Sequence, residues 1–101
     1  MGSRLDLHNK LVDLLGSKNV YYDAPESIKM EYPAIKYSKS DIEAKYANNN
    51  SYLLDSRYEI IVIDPKPDNA VIDRLLKLPM CSFDRHYKAD NLNHDVLTLY
   101  F

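Results

Sequence analysis

Glycine, cysteine and tryptophan are nearly absent from this chain of 101 residues, which has two glycines, one cysteine and no tryptophan. The two glycines, Gly2 and Gly16, are too few to build a glycine-rich loop that cradles phosphate groups. The single cysteine, Cys81, excludes a disulfide within the chain and suits a reducing compartment. Phosphate-cradling loops and disulfide-stapled scaffolds are therefore excluded.

Long apolar runs and concentrated positive charge are also missing. No run approaches the roughly 18 apolar residues that a membrane-spanning helix needs, so we expect no membrane partner. The formal net charge is −2 and the basic residues are scattered, so we expect no sequence-specific binding of nucleic acid. Hydrophobic residues make up 46% and charged residues 28%, which predicts a single folded domain over residues 1–101.

Tyrosine is what the chain has in abundance, with nine residues beside two phenylalanines. The tyrosine side chain combines an apolar ring with a polar hydroxyl, which suits half-buried positions where proteins meet. Aromatic residues are also favoured in strands for reasons of packing alone. For any single tyrosine, both interpretations stay open.

The hydrophobic pattern predicts two main helices. Apolar residues recur at helical spacing over Arg4–Leu15, and Gly16 supplies a stop signal. A second helix is predicted within Pro65–Pro79, where Asp68 is placed to cap its first turn and Pro79 prevents continuation.

Five strands are predicted around these helices. In chain order they are Val20–Tyr22, Pro33–Lys39, Tyr58–Ile63, Met80–Tyr87 and Asp95–Phe101. The nearly continuous apolar character of Tyr58–Ile63 indicates a central strand that is covered on both faces. A polar loop over Lys88–His94 is expected to join the last two strands. The stretch 40–56, with Asn48 and its neighbours in the middle, predicts a long hairpin or a flexible loop.

The predicted fold class is α+β, in the order α-β-β-β-α-β-β. A single, mainly antiparallel sheet with the two helices packed on it buries the apolar faces of all these elements.

Polar residues of the types that bind metals or catalyse reactions cluster near the end of the chain. Six candidate ligands fall within fifteen residues: Cys81, Asp84, His86, Asp90, His94 and Asp95. None forms the short CxxC or HxxxH pair that zinc sites use, and no nucleophile motif surrounds Cys81. We therefore expect no metal site, no cofactor and no catalytic residue. A small hydrolase that uses Asp84, His86 and His94 stays as an alternative, which alanine substitutions would test by loss of turnover.

The neighbouring pair Asp84 and Arg85 has two open interpretations. The arginine clamps a neighbouring subunit or a loop through a bidentate bond. Alternatively, the two residues form a local surface ion pair worth less than about 1 kcal/mol.

Several segments resemble the tail-terminator, or tail-completion, proteins of long-tailed bacteriophages and prophages. The resemblance covers roughly residues 5 to 101. It rests on the pattern of apolar residues that pack in the core and on a few short motifs of polar residues. Its segments are Tyr32–Ile35 (YPAI), Tyr58–Asp64 (YEIIVID) followed by Pro67 and Asp68, Phe83–Tyr87 (FDRHY), Asp90–Asp95 (DNLNHD) and Leu99–Phe101 (LYF).

The resemblance implies a non-catalytic virion assembly protein. Such a protein forms a six-membered ring on the head-proximal end of the tail tube, stops tube polymerisation and presents a surface for joining the head. Its implied partners are further copies of itself, the tail tube protein and a head-completion or neck protein. Its implied location is the neck of the virion, and the host cytoplasm during assembly.

Five residues are of the types that anchor protein interfaces, and we expect them to carry the contacts of such a ring: Tyr46, Tyr52, Arg57, Arg85 and Tyr87. Besides the small hydrolase, two other functions stay open. One is another neck or head-closure component of a phage, and the other is a small binding module with a ferredoxin-like sheet.

Overall fold

The computed structural model describes residues 3–25, 27–47 and 50–101, and for residues 41–47 and 50–55 it describes the backbone alone. The elements in chain order are α1 (Arg4–Leu15), β1 (Val20–Tyr22), β2 (Ala34–Ala47), β3 (Asn50–Asp64), α2 (Ala70–Leu76), β4 (Cys81–Ala89) and β5 (Leu92–Tyr100). This order is the predicted α-β-β-β-α-β-β, and the α+β class is confirmed.

All five strands belong to one sheet, in the spatial order β1-β2-β3-β5-β4. The short strand β1 runs parallel to β2, and every other neighbouring pair is antiparallel. The prediction of a mainly antiparallel sheet is therefore confirmed. In this order, β3 is the central strand and β4 forms one edge.

The hydrophobic core lies between the sheet and the two helices. Leu7 and Leu11 of α1 and Val71 and Leu75 of α2 are fully buried. They pack against alternate residues of the sheet, which are Ile35, Tyr37, Tyr58, Ile60, Val62, Leu97 and Leu99. Burying a side chain of this size contributes about 1.5–3 kcal/mol to stability, so these contacts fix the helices on the sheet.

Both helices contribute to this single core, so they share one face of the sheet. The prediction that Tyr58–Ile63 forms a central strand is confirmed, and the two helices cover one of its faces. The strand reads as a nearly continuous apolar run because Ile61 and Ile63 also form a small apolar centre on the opposite face. Ile63 is almost fully buried there, whereas Ile61 is partly exposed.

Helix α1 begins and ends where the sequence predicts. The Ser3 hydroxyl accepts the backbone N–H of Asp6, and the Asp6 carboxylate accepts the backbone N–H of Ser3, which completes a capping box. Gly16 closes the helix with a φ of 77°, a left-handed conformation that glycine adopts without a steric penalty.

Among the described residues, no helix is both long and apolar enough to cross a membrane.

Helix α2 lies within the predicted segment Pro65–Pro79 but uses a different cap. Its N-cap is Asn69, whose side-chain oxygen accepts the N–H of Val71 at 2.9 Å, so the assignment of this role to Asp68 is wrong. The Asn69 amide in turn donates to the Asp64 carboxylate at 2.6 Å, and Asp64 also accepts the N–H of Lys66 at 2.8 Å. A carboxylate at the end of β3 therefore orders both the turn and the start of α2.

The stretch 40–56 forms a long hairpin, which is the first of its two predicted alternatives. The pairing of β2 with β3 runs from Ala34 opposite Ile63 to Ala47 opposite Asn50, with irregularities near Ser40 and Tyr46. Two residues of the asparagine run, Asn48 and Asn49, lie outside the described residues.

The connection between β4 and β5 is tighter than the predicted loop over Lys88–His94. The strands continue to Ala89 and from Leu92, so the turn consists of Asp90 and Asn91 alone. Both turn residues have positive φ, 53° and 62°, the conformation that a two-residue hairpin turn of the primed type requires. Asp and Asn tolerate this conformation better than most residues, which explains the short turn.

Candidate interaction surface

The face of the sheet opposite α1 and α2 carries a second, smaller set of aligned side chains. We call it the helix-free face. One cross-strand row on it consists of register partners in successive strands, namely Lys36, Ile61, Val96 and Arg85. The next row toward the hairpin consists of Ser38, Glu59, Thr98 and Ser82. Directly opposed residues lie on the same face, so these rows follow from the register.

The centre of the helix-free face is apolar and its margins are polar. Val96 is fully buried and Ile63 is 6% exposed, whereas Ile61 and Lys36 are partly exposed and Arg85 is exposed. Interfaces between proteins have this arrangement, with an apolar core inside a polar rim. The connection between β1 and β2 touches this face near β1, where the N–H of Glu31 donates to the Tyr21 hydroxyl at 3.3 Å.

A shallow polar depression of about 370 Å³ lies on the helix-free face near the base of the hairpin. Its lining includes Ser40, Arg57, Glu59, Ser82, Asp84 and Thr98. The irregularity in β2 lies at Ser40, and the hydroxyl of this residue contacts Arg57. The Arg57 Nε–H donates to the Ser40 hydroxyl at 3.2 Å, and that hydroxyl donates to the Arg57 carbonyl at 3.0 Å.

Arg85 and Tyr87 lie on the same face, on the edge strand β4. The Arg85 guanidinium is 3.1 Å from the Asp84 carboxylate and 5.9 Å from the centre of the Tyr87 ring. The Tyr87 ring stacks on His94, with 4.7 Å between the ring centres and an angle of 9°. Asp84 and Arg85 form a local surface ion pair, and both side chains are about half exposed.

The five predicted interface residues divide into two groups. The three whose side chains the structure describes, Arg57, Arg85 and Tyr87, all lie on the helix-free face. The side chains of Tyr46 and Tyr52 lie outside the described residues. Their backbones belong to β2 and β3, in the part of the hairpin beyond the five-stranded sheet.

The sheet separates the residues of the hydrolase alternative. His86 is opposite Asp95, which is opposite Val62, so His86 lies on the helix-covered side, while His94 lies on the helix-free face. The His86 Nδ1 is 2.6 Å from the Asp95 carboxylate, and Asp84 pairs with Arg85. The structure therefore does not bring Asp84, His86 and His94 together.

Metal-ligand and thiol chemistry find little support in the geometry. Within the part of the chain that the structure describes, no group of three or more His, Cys, Asp or Glu side chains could hold a metal ion. Cys81 is half-buried and packs against the core, and this burial raises the pKa of its thiol. A raised pKa disfavours the thiolate, which is the reactive form of cysteine.

Two features of this region were missed by sequence reasoning. One is the His86–Asp95 contact, which depends on an extra residue in β4, because Phe83 pairs with Leu97 and Arg85 already pairs with Val96. The other is the polar depression, whose lining comes from four strands. Neither has a local sequence signal, since both depend on register.

Comparison with known proteins gives no match: no protein-family model, no curated protein and no solved structure is significantly similar to this chain.

Proposed function

We propose that this protein is a structural, non-catalytic assembly component. It forms a ring on the head-proximal end of a phage tail tube, ends tube growth there and offers the surface that the head joins. The ring contains six copies of the chain, and its partners are the tail tube protein and a neck or head-completion protein. The protein is found in the neck of the virion, and in the host cytoplasm during assembly.

The observation that carries the proposal is the grouping of Arg57, Arg85 and Tyr87 on one face of the sheet that no helix of the described residues covers. Arginine and tyrosine are enriched among the residues that supply binding energy at interfaces. The partly exposed Ile61, surrounded by a polar rim, fits a contact with another protein. The resemblance of several segments to tail-terminator proteins supplies the particular assembly.

The architecture suits a ring for a further reason. In a closed ring, one surface of each subunit meets a different surface of its neighbour. The helix-free face, the edge strand β4 and the hairpin are three distinct surfaces of one small sheet. A subunit with several different surfaces is what such a heterologous contact needs.

Electron microscopy of particles from a phage or prophage that lacks this gene tests the proposal. We expect overlong tails without heads and without a regular length, because nothing then ends the growth of the tube. Tails of normal length without heads would instead assign the protein to a later neck-joining step. Intact infectious virions would contradict both assembly roles.

A binding module is the second candidate, and the polar depression at Arg57 and Glu59 is the observation that favours it. Polar groups converging in a concave surface are the usual feature of a ligand site. The observed order of elements differs from the β-α-β-β-α-β order of ferredoxin-like proteins, so this candidate keeps the binding role without that fold. Normal virions in the deletion experiment would leave it as the function to pursue.

A further inference from the structure

The edge strand β4 has one side without a partner among the described residues. It pairs with β5 along its whole length, from Cys81 opposite Leu99 to Ala89 opposite Leu92, and it ends the sheet. Its seven interior residues are all exposed, including the aromatic side chains of Phe83 and Tyr87. A row of backbone N–H and C=O groups at a sheet edge is satisfied most fully by another extended strand.

The hairpin also contains strand backbone that lacks a neighbouring strand. β2 pairs with β1 only from Ile35 to Tyr37, and β3 pairs with β5 only from Arg57 onward. The backbone of 42–47 and 50–55, which we call the arm, is therefore paired only with itself within the chain that the structure describes. A two-stranded ribbon is marginally stable in water, and a third strand is what usually stabilises it.

The free edge of β4 and the arm cannot pair with each other within one molecule. β4 and the arm's outer strand β2 lie on opposite sides of the sheet, with β3 and β5 between them. In one subunit, β2 and β4 also run in opposite directions, because three antiparallel pairings separate them. A second copy whose strands keep the same direction presents the β2 strand of its arm antiparallel to β4, which is the more favourable pairing. Because the arm extends past the end of the sheet, this contact also needs a displacement along the strands or a bend of the arm at the irregularity near Ser40.

The arm and the β4 strand carry opposite net formal charges. Glu43 and Asp55 outweigh Lys45 in the arm, which gives it one net negative charge. Within β4, the basic residues Arg85 and Lys88 outweigh the single acid Asp84, which gives it one net positive charge with His86 neutral. Opposite net charge steers association and fixes the register between two strands.

We infer that the arm of one copy docks along the free edge of β4 in a second copy and extends its sheet by β-strand addition. The occupant of the β4 edge is thus another molecule of the same chain. This inference rests on the proposed self-association and names the contact that carries it. It also gives a shared place to four predicted interface residues: Tyr46 and Tyr52 belong to the arm, and Arg85 and Tyr87 belong to β4.

Disulfide trapping between two different variants tests the inference. Both carry Cys81→Ala. One also has Tyr87→Cys on β4, and the other has Lys45→Cys in the arm, with Tyr46→Cys as a parallel version because successive strand residues face opposite ways. Lys10→Cys on the exposed surface of α1 replaces Tyr87→Cys in the control mixture.

We expect the arm–β4 disulfide to form at about ten times the yield of the arm–α1 disulfide when the proteins are mixed. Arg85→Glu should lower this yield about tenfold, and Glu43→Lys in the arm variant should restore it, because the two substitutions exchange the charges. Lys10→Glu makes the same charge change on α1 and should leave the yield unchanged. Equal yields for β4 and α1 at protein concentrations up to about 1 mM would overturn the inference.

The trapping experiment and the deletion experiment test separate claims, and either claim can be contradicted while the other stands. Overlong tails without arm–β4 trapping would keep the assembly role and assign the ring contact to another surface. Arm–β4 trapping with intact virions in the deletion strain would keep this contact and remove the proposed place in the tail.

Discussion

Tyr37 connects the core to helix α1 through a polar contact. Its side chain is 1% exposed, and its hydroxyl lies 2.8 Å from Nδ1 of His8 on α1. Its ring contacts the rings of Tyr22 and Tyr58, with ring centres 4.9 Å and 6.1 Å away. Burial raises the pKa of Tyr37, although the nearby Arg4 acts in the opposite direction.

Tyr37→Phe should lower the free energy of unfolding at neutral pH by about 1 kcal/mol, because a half-buried histidine nitrogen loses its hydrogen bond. The raised pKa means that the folded state favours the neutral phenol. That stabilisation is fully present below the pKa of an unfolded tyrosine, about 10, and is lost as pH rises through the folded-state pKa. The difference between the two proteins in urea unfolding should therefore narrow above pH 10.

Tyr87→Phe is the matched control, because it removes the same hydroxyl from a side chain that is 39% exposed. Its stability should follow that of the unchanged protein across the alkaline range. The difference in the free energy of unfolding between the unchanged protein and Tyr37→Phe could instead stay constant or widen above pH 10. That result would contradict the assignment of the alkaline dependence of stability to Tyr37.

Met80 is a second residue for which the structure leads to a prediction, because its backbone conformation is unfavourable. It has a φ of 63°, a left-handed conformation that costs a residue with a Cβ atom about 1–2 kcal/mol. Its side chain is 59% exposed, so little burial is lost on truncation. Met80→Gly should raise the free energy of unfolding by about 1 kcal/mol, and Met80→Ala, which keeps the Cβ atom, should leave it nearly unchanged. Equal effects of the two substitutions in thermal unfolding would show that backbone strain at this position is not released.

At the scale of elements, helix α2 depends on its N-cap. Asn69→Ala should lower the free energy of unfolding by about 1 kcal/mol, because the N–H of Val71 loses its acceptor and Asp64 loses a donor. Asp68→Ala removes the neighbouring polar residue without touching the cap and should cost less. A larger effect of Asp68→Ala in urea unfolding would mean that charge near the helix start matters more than the cap itself.

Elements with local signals were the ones that the sequence predicted well. α1 has its capping box and Gly16, and its bounds are as predicted. At α2, Asp68 and Asn69 are adjacent capping residues, and the choice between them depends on the position of Asp64 at the end of β3. The β4–β5 turn was predicted too long because Asp90 and Asn91 adopt positive φ without a glycine to signal it.

At the scale of the whole molecule, the face on which each residue of β4 lies could not be predicted. Regular alternation would place Phe83, Arg85 and Tyr87 on one face. The extra residue at Asp84 leaves Phe83 on the helix-covered side and turns the other two to the helix-free face. A bulge of this kind is set by tertiary packing rather than by a local sequence signal. For this reason the residue types of the candidate surface were predictable, whereas their grouping required the three-dimensional register.

The helix-free face as a whole makes the last prediction. Ile61 lies in its centre between Lys36 and Val96, and it is partly exposed. Ile61→Glu places a carboxylate beside Lys36, which limits the cost to folding, but it would force a charged group into the apolar centre of any interface formed there. Such a burial weakens association by about 2 kcal/mol or more. In the deletion phage, a gene carrying Ile61→Glu should therefore give overlong tails by electron microscopy.

Leu5→Glu is the matched control for this experiment, because Leu5 is an apolar residue of α1 that is 61% exposed on the opposite side of the molecule. It introduces the same side chain, and a glutamate in the first turn of a helix is favourable. Tails of normal length are expected for Leu5→Glu, with thermal unfolding of both purified variants as a check on folding. If Ile61→Glu folds and still gives tails of normal length, the contact that ends the tube does not use the helix-free face, and the edge of β4 and the arm become the surfaces on which an assembly role depends.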